Sequence, residues 1–128
     1  MDKNESFPNV YATDCPTRQV LDLIADKWST LIIHLLKTEP RRFTLIQRQI
    51  NGISHKMLAQ TLRELERNGL VKRTVFAQVP PRVEYELTPL GKTLRERITP
   101  IIRWSEENIA EIEAAQKKYD QSNAALTV

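Results

Sequence analysis

Six residues, Ser54, His55, Lys56, Gln60, Thr61 and Arg63, place hydroxyl, imidazole, ammonium, amide and guanidinium groups within one short segment. These are the group types that pair with the exposed edges of bases. A Lys or Arg matches the two acceptors of guanine, and a Gln matches the donor and acceptor of adenine. At 100° per residue on a helix, Lys56, Gln60, Arg63 and Arg67 share one side, while Leu58, Leu62 and Leu65 share the opposite one. On an ordinary soluble helix such a polar side only faces water, so its neighbours decide its meaning. The second reactive group is Cys15, the sole cysteine, placed before Pro16 and three residues ahead of Arg18. As a thiolate it would attack oxidants or electrophiles; as a thiol it is a small apolar residue.

Other chemistries find little support. One cysteine allows no internal disulfide, and His34 and His55 lack the spacing of a zinc site. Three isolated glycines make no phosphate-cradling loop. No metal or cofactor is expected. An enzyme built on Cys15 with a histidine base would lack a second activating group, so catalysis is not expected either. No apolar run is long enough to span a bilayer, and the start of the chain, "MDKNESFPNV", is not a signal peptide. The expectation is a cytoplasmic protein with no membrane partner.

The charge pattern points to a polyanion. Residues 41–82 hold nine Lys or Arg against Glu64 and Glu66, a local excess of +7 in a chain whose net charge is +3. Residues 1–26 and 104–128 each carry −3. A basic middle between acidic ends fits one face turned toward nucleic acid.

The elements around these residues follow from periodicity and punctuation. Pro16 opens a first helix, capped by Cys15 or Thr13, with Val20, Leu21 and Ile24 on one face. Trp28, Leu31, Ile32, Leu35 and Leu36 form the stripe of a second, which "KTEPRRF" stops. A third helix is capped by Thr44 and turns Leu45, Ile46 and Ile50 inward. Gly52 then makes a tight turn, and Ser54 caps the helix that carries the polar side described above. Asn68-Gly69 ends that helix. Val71/Arg73/Val75 and Val83/Tyr85/Leu87 alternate as two strands joined by "AQVPPR". A last helix starts with Thr88 as cap and Pro89 in its first turn. It carries Leu90, Leu94, Ile98 and Ile101 along one seam, with Trp104, Ile109 and Ile112 beyond. Pro100 should kink or split it near Thr99.

Two helices joined by a turn, the second basic outside and followed by a β-ribbon, give the order of a winged helix-turn-helix domain. A protein-binding winged helix would instead show an apolar or acidic outer face. The fold class expected is mainly α with a small β-ribbon, flanked by N- and C-terminal dimerisation helices. One domain over 15–118 is expected, its dimerisation helix starting near 89, with a flexible arm at 1–14 and a frayed tail at 119–128.

Three segments, "CPTRQVLDLIADKWSTLIIHLL", "RRFTLIQRQINGISHKMLAQTLRELERNGLVKR" and "VPPRVEYELTPLG", are similar to the HxlR-type family of bacterial winged helix-turn-helix regulators, related in layout to the MarR group. The resemblance runs from about Cys15 to Trp104. It implies a dimeric transcription factor with residues 54–63 on the recognition helix and residues 80–82 in the wing. Some HxlR-type regulators sense oxidants or electrophiles through a cysteine at this N-terminal position, and others do not.

The residues alone give matching roles. Arg82 would sit at the wing tip near the minor groove, and Arg42 and Arg48 would hold phosphates. Leu21, Ile98, Ile101, Trp104, Ile109 and Ile112 would hold a homodimer, spacing two recognition helices about 34 Å apart on a palindromic double-stranded operator. Arg18 would favour the Cys15 thiolate and Asp14 would oppose it. The input is left open between modification of Cys15, an unidentified small effector, and no redox response.

Overall fold

The computed structural model describes residues 9–124. Its elements run α1 (Pro16–Ala25), α2 (Lys27–Leu36), β1 (Arg41–Arg42), α3 (Phe43–Gln49), α4 (His55–Arg67), β2 (Val71–Phe76), β3 (Arg82–Leu87) and α5 (Pro89–Ala124). This is the mainly helical winged helix-turn-helix fold, with a small antiparallel sheet in the order β1-β3-β2. Two compact units divide between Arg95 and Glu96.

In the first unit, local signals set most boundaries. Pro16 opens α1, and Cys15 is its N-cap by backbone geometry, without a side-chain hydrogen bond. Asp26 ends α1 and starts α2, where its Oδ2 accepts from the Ser29 backbone N–H at 3.0 Å. Ile32, Ile33 and Leu36 bury the inner face of α2. Leu31, expected to face inward, is exposed, as is Val20 of α1.

The sequence reading gives two strands, and the structure has three. Arg41 pairs with Tyr85 and Arg42 with Glu84, a bridge too short to leave a period in the sequence. Because the chain leaves this bridge directly into helix, α3 starts at Phe43 with Arg42 as its N-cap; the expected cap, Thr44, lies inside the helix.

The turn between α4 and β2 is the anchor of the wing. Gly69 has φ +75°. Its N–H donates to Glu66 O at 3.0 Å, and the Leu70 N–H donates to Leu65 O at 2.9 Å, the paired closure of a helix ending on a left-handed residue. Thr88 ties the far end of the ribbon to the same turn. Its N–H donates to Leu70 O at 3.1 Å and its Oγ1 to Gly69 O at 2.6 Å, while Oγ1 also accepts from the Gly91 N–H and so caps α5. A Cβ on Gly91 would collide with the Leu70 carbonyl oxygen; only glycine lets α5 pass so close to the turn.

The second unit is the rest of α5. The helix runs through Pro100 without a break. A proline removes one N–H from the ladder, and side-chain bonds from Ser105 Oγ to Ile101 O and Asn108 Nδ2 to Trp104 O follow it in the next turns. Residues 119–124, expected to fray, are helical, and 125–128 lie outside the described residues. At the other end, residues 1–8 of the expected arm also lie outside them. Residues 9–14 form hydrogen-bonded turns, including Ala12 N–H to Asn9 O and Cys15 N–H to Ala12 O. Among the described residues no helix is long and apolar enough to cross a membrane.

Candidate nucleic-acid interface

Helix α4 is divided lengthwise. Ser54 caps it, Oγ accepting from the Met57 N–H at 3.0 Å, which satisfies one of the free donors of the first turn. Leu58, Leu62 and Leu65 are fully buried, while Lys56, Gln60, Arg63 and Arg67 are exposed, as the 3.6-residue period requires. Burying three leucines fixes the rotation of the helix, and that rotation turns the polar groups outward.

His55, the first residue of α4, lies against Phe43 with ring centroids 4.8 Å apart. Phe43 is also 6.4 Å from Tyr85 of β3. One aromatic ring from the start of α3 thus touches both the entry of α4 and the sheet, setting the angle between helix and wing.

Thr61 does not belong to the outward set. It is 6% exposed and its Oγ1 donates to the Met57 carbonyl at 2.8 Å. At 100° per residue it falls on the leucine side, so its hydroxyl is satisfied inside its own helix.

The wing is basic but partly neutralised. Arg82 Nε lies 3.1 Å from Glu84 Oε2, at an angle short of a hydrogen bond, and its guanidinium covers the Phe76 ring at 4.1 Å. Arg82 and Phe76 are register partners. The side chain expected at the wing tip is therefore laid along the sheet. Arg42 and Arg48 are exposed, and the neighbouring Arg41 is half-buried, with Nη1 donating to Gln49 Oε1 at 3.1 Å.

A further arginine, outside the expected set, stands beside α4. Arg73 of β2 is the register partner of Tyr85 and lines a recess of about 350 Å³ with Tyr85, Ala59, Arg63 and Glu66. The strand alternation Val71/Arg73/Val75 puts Arg73 on the face that meets α4, a signal available in the sequence once α4 is known to lie beside that face.

Cys15 is 5% exposed. Arg18, expected to act on the thiol, sends Nη1 to the Tyr11 carbonyl at 3.2 Å.

Residues 23–113 match the HxlR-like helix-turn-helix family. The chain belongs to that family. It is 41% identical over 108 residues to the HTH-type transcriptional regulator YtfH of Escherichia coli, a span covering 84% of this chain and 86% of that protein. Among solved structures, the transcriptional regulator YtfH from Salmonella typhimurium is 37% identical with a TM-score of 0.82, covering 87% of this chain and 99% of its own. The redox regulator HypR in its reduced form is 37% identical with a TM-score of 0.71, covering 77% and 98%. This HxlR-like chain is a transcriptional regulator with a helix-turn-helix DNA-binding domain. Its family match runs from the end of α1 through β3 and into α5.

The expected dimer residues separate by exposure. Ile98 is 2% exposed within a single chain and has no surface left for a second. Leu21 in the first unit is exposed, as are Ile101, Trp104 and Ile109 in the second, with Ile112 half-buried.

Proposed function

We propose that this protein binds a palindromic double-stranded operator as a homodimer, with α4 of each protomer in a major groove. The observation that carries the reading is the division of α4: three leucines wholly buried on one side, and Lys56, Gln60 and Arg63 free on the other beside a basic ribbon. Ser54, His55, Lys56 and Gln60, at or near the start of the helix, are the candidates for base edges. Arg42 and Arg48 hold phosphates, and Arg82 reaches DNA when its pairing with Glu84 opens. Exposed Ile101, Trp104 and Ile109 supply apolar surface for a second chain in the α5 unit, and Leu21 supplies it on α1.

The test is fluorescence anisotropy on a duplex selected from a random pool by the wild-type protein, with salt varied. Binding should weaken linearly in log–log form, by about 0.9 per phosphate contact. Absence of any salt-sensitive binding would sink the reading.

A second reading makes Cys15 the switch. It draws on the likeness to HypR, a redox regulator by name, and on Cys15 standing at the start of α1, outside α4 and the wing. A thiol this buried reacts only when the structure around it opens. Operator binding by wild type and Cys15→Ser, each with and without diamide, decides it: equal responses leave Cys15 as packing.

A further inference from the structure

The recess between α4 and the ribbon has a composition that core packing does not account for. Arg63 and Glu66 enter it from the exposed edge of α4, Arg73 from β2, and the buried Tyr85 ring forms part of its lining. Register places Arg73 and Arg41 on either side of Tyr85 across three strands, so all three side chains stand on the same sheet face, the one that meets α4. The ion pairs among the described residues, Glu64 with Arg67 and Glu84 with Arg82, involve neither Arg63 nor Arg73. Two like charges are thus brought to one concavity with a single carboxylate between them.

Duplex geometry says what crosses that concavity. With α4 in the major groove and the ribbon directed toward the adjacent minor groove, the sugar-phosphate strand dividing the two grooves must pass between helix and ribbon. Guanidinium groups suit phosphate oxygens there because they donate several hydrogen bonds in a fixed fork.

We propose that Arg63 and Arg73 clamp one backbone phosphate in this recess, so that Arg63 positions the duplex and does not read a base. Arg63 lies more than two turns into α4, past the residues that reach base edges from its start. Glu66 tunes the site by opposing the anion. The inference rests on the DNA-binding reading above and adds to it a contact on β2.

The experiment uses the full-length protein and two probes, a duplex selected from a random pool by wild type and an unrelated duplex, in a salt series. Arg63→Ala and Arg73→Ala should each weaken both probes by the same factor, roughly tenfold at low salt, with the preference between probes unchanged. The double variant should lose less than the product of the single losses and flatten the salt slope by about 0.9, the value for one phosphate. Arg73→Lys should keep the slope and recover part of the affinity, and Glu66→Gln should tighten both probes. Thermal melts confirm that each variant is folded. A null effect of Arg73→Ala, or a change in the selected base sequence with Arg63→Ala, overturns the clamp. Additive losses with a slope change about twice as large overturn it too, in favour of two separate contacts. If the clamp variants fail these outcomes while wild type binds in a salt-dependent way, only the clamp falls. Wild type that binds neither probe removes the DNA-binding reading and the clamp with it.

Discussion

Arg82 Nε and Glu84 Oε2 lie 3.1 Å apart on the wing, both side chains more than two-thirds covered. The pair holds in reserve a cation that DNA could otherwise use. Breaking a partly covered ion pair costs on the order of 1 kcal/mol, which a phosphate contact can offset. Glu84→Gln is therefore expected to tighten DNA binding by up to about fivefold. In an Arg82→Ala background the same change should give much less. Anisotropy titrations of the four proteins check this, and an equal gain in both backgrounds would assign the effect to the lost carboxylate alone.

Thr61 gives a prediction of the opposite kind. Its hydroxyl donates to the Met57 carbonyl inside the helix and its side chain is buried. Thr61→Val should leave operator affinity within about twofold of wild type and change stability by no more than about 1 kcal/mol. Anisotropy and chemical denaturation measure the two. A large affinity loss without a stability loss would return Thr61 to the DNA face.

The contrast between Thr61 and Lys56 shows where sequence reading works. The leucine stripe alone sets the rotation of α4, because a 3.6-residue period leaves one solution for three buried leucines. Thr61 falls on the leucine side by the same arithmetic, so its placement was available and its residue type misled. Strand β1 was not available: two residues carry no alternation, and its partner β3 lies some forty residues on. The Arg63–Arg73 recess needed the packing of α4 against the ribbon, which no local pattern encodes. Leu31, expected inside, is exposed, and Ile98, expected at a dimer seam, is buried within the single chain, because a seam and a core look alike along one helix.

Gly91 reverses a common rule. Replacing a helical glycine by alanine usually stabilises by about 0.5–1 kcal/mol. Here the new Cβ would meet the Leu70 carbonyl oxygen, which also accepts from the Thr88 N–H. Gly91→Ala should destabilise by roughly 1–3 kcal/mol, as overpacking does, and loosen the wing. Urea unfolding read by far-UV circular dichroism checks the sign; a stabilised variant would mean that α5 can shift away from the turn.

Leu62 is wholly buried on α4, and truncation to alanine leaves a cavity under the helix that carries the polar face. Leu62→Ala should cost about 2–5 kcal/mol and lower operator affinity only through the folded fraction. Binding measured well below the melting temperature should therefore stay close to wild type, while the denaturation midpoint falls.

The exposed side of α5 in the second unit carries the last prediction. Ile101, Trp104 and Ile109 are 60%, 58% and 50% exposed, and with Ile112 they fall within an arc of about 140° at helical spacing. Apolar side chains this large, gathered on one side of one helix, lose stabilisation in water that a second chain would restore. A charge placed among them, as in Ile109→Asp, has to be desolvated in any such interface but meets only solvent in a lone chain. The variant should keep its helical content and convert a dimer to a monomer in light scattering at micromolar protein. Operator affinity should then fall by about 100-fold or more, because the two half-sites are no longer held by linked recognition helices. Ile98→Asp should instead unfold the chain locally, since Ile98 is buried without a partner. A wild-type protein that is already monomeric would remove α5 from dimerisation and leave its apolar stripe for another contact.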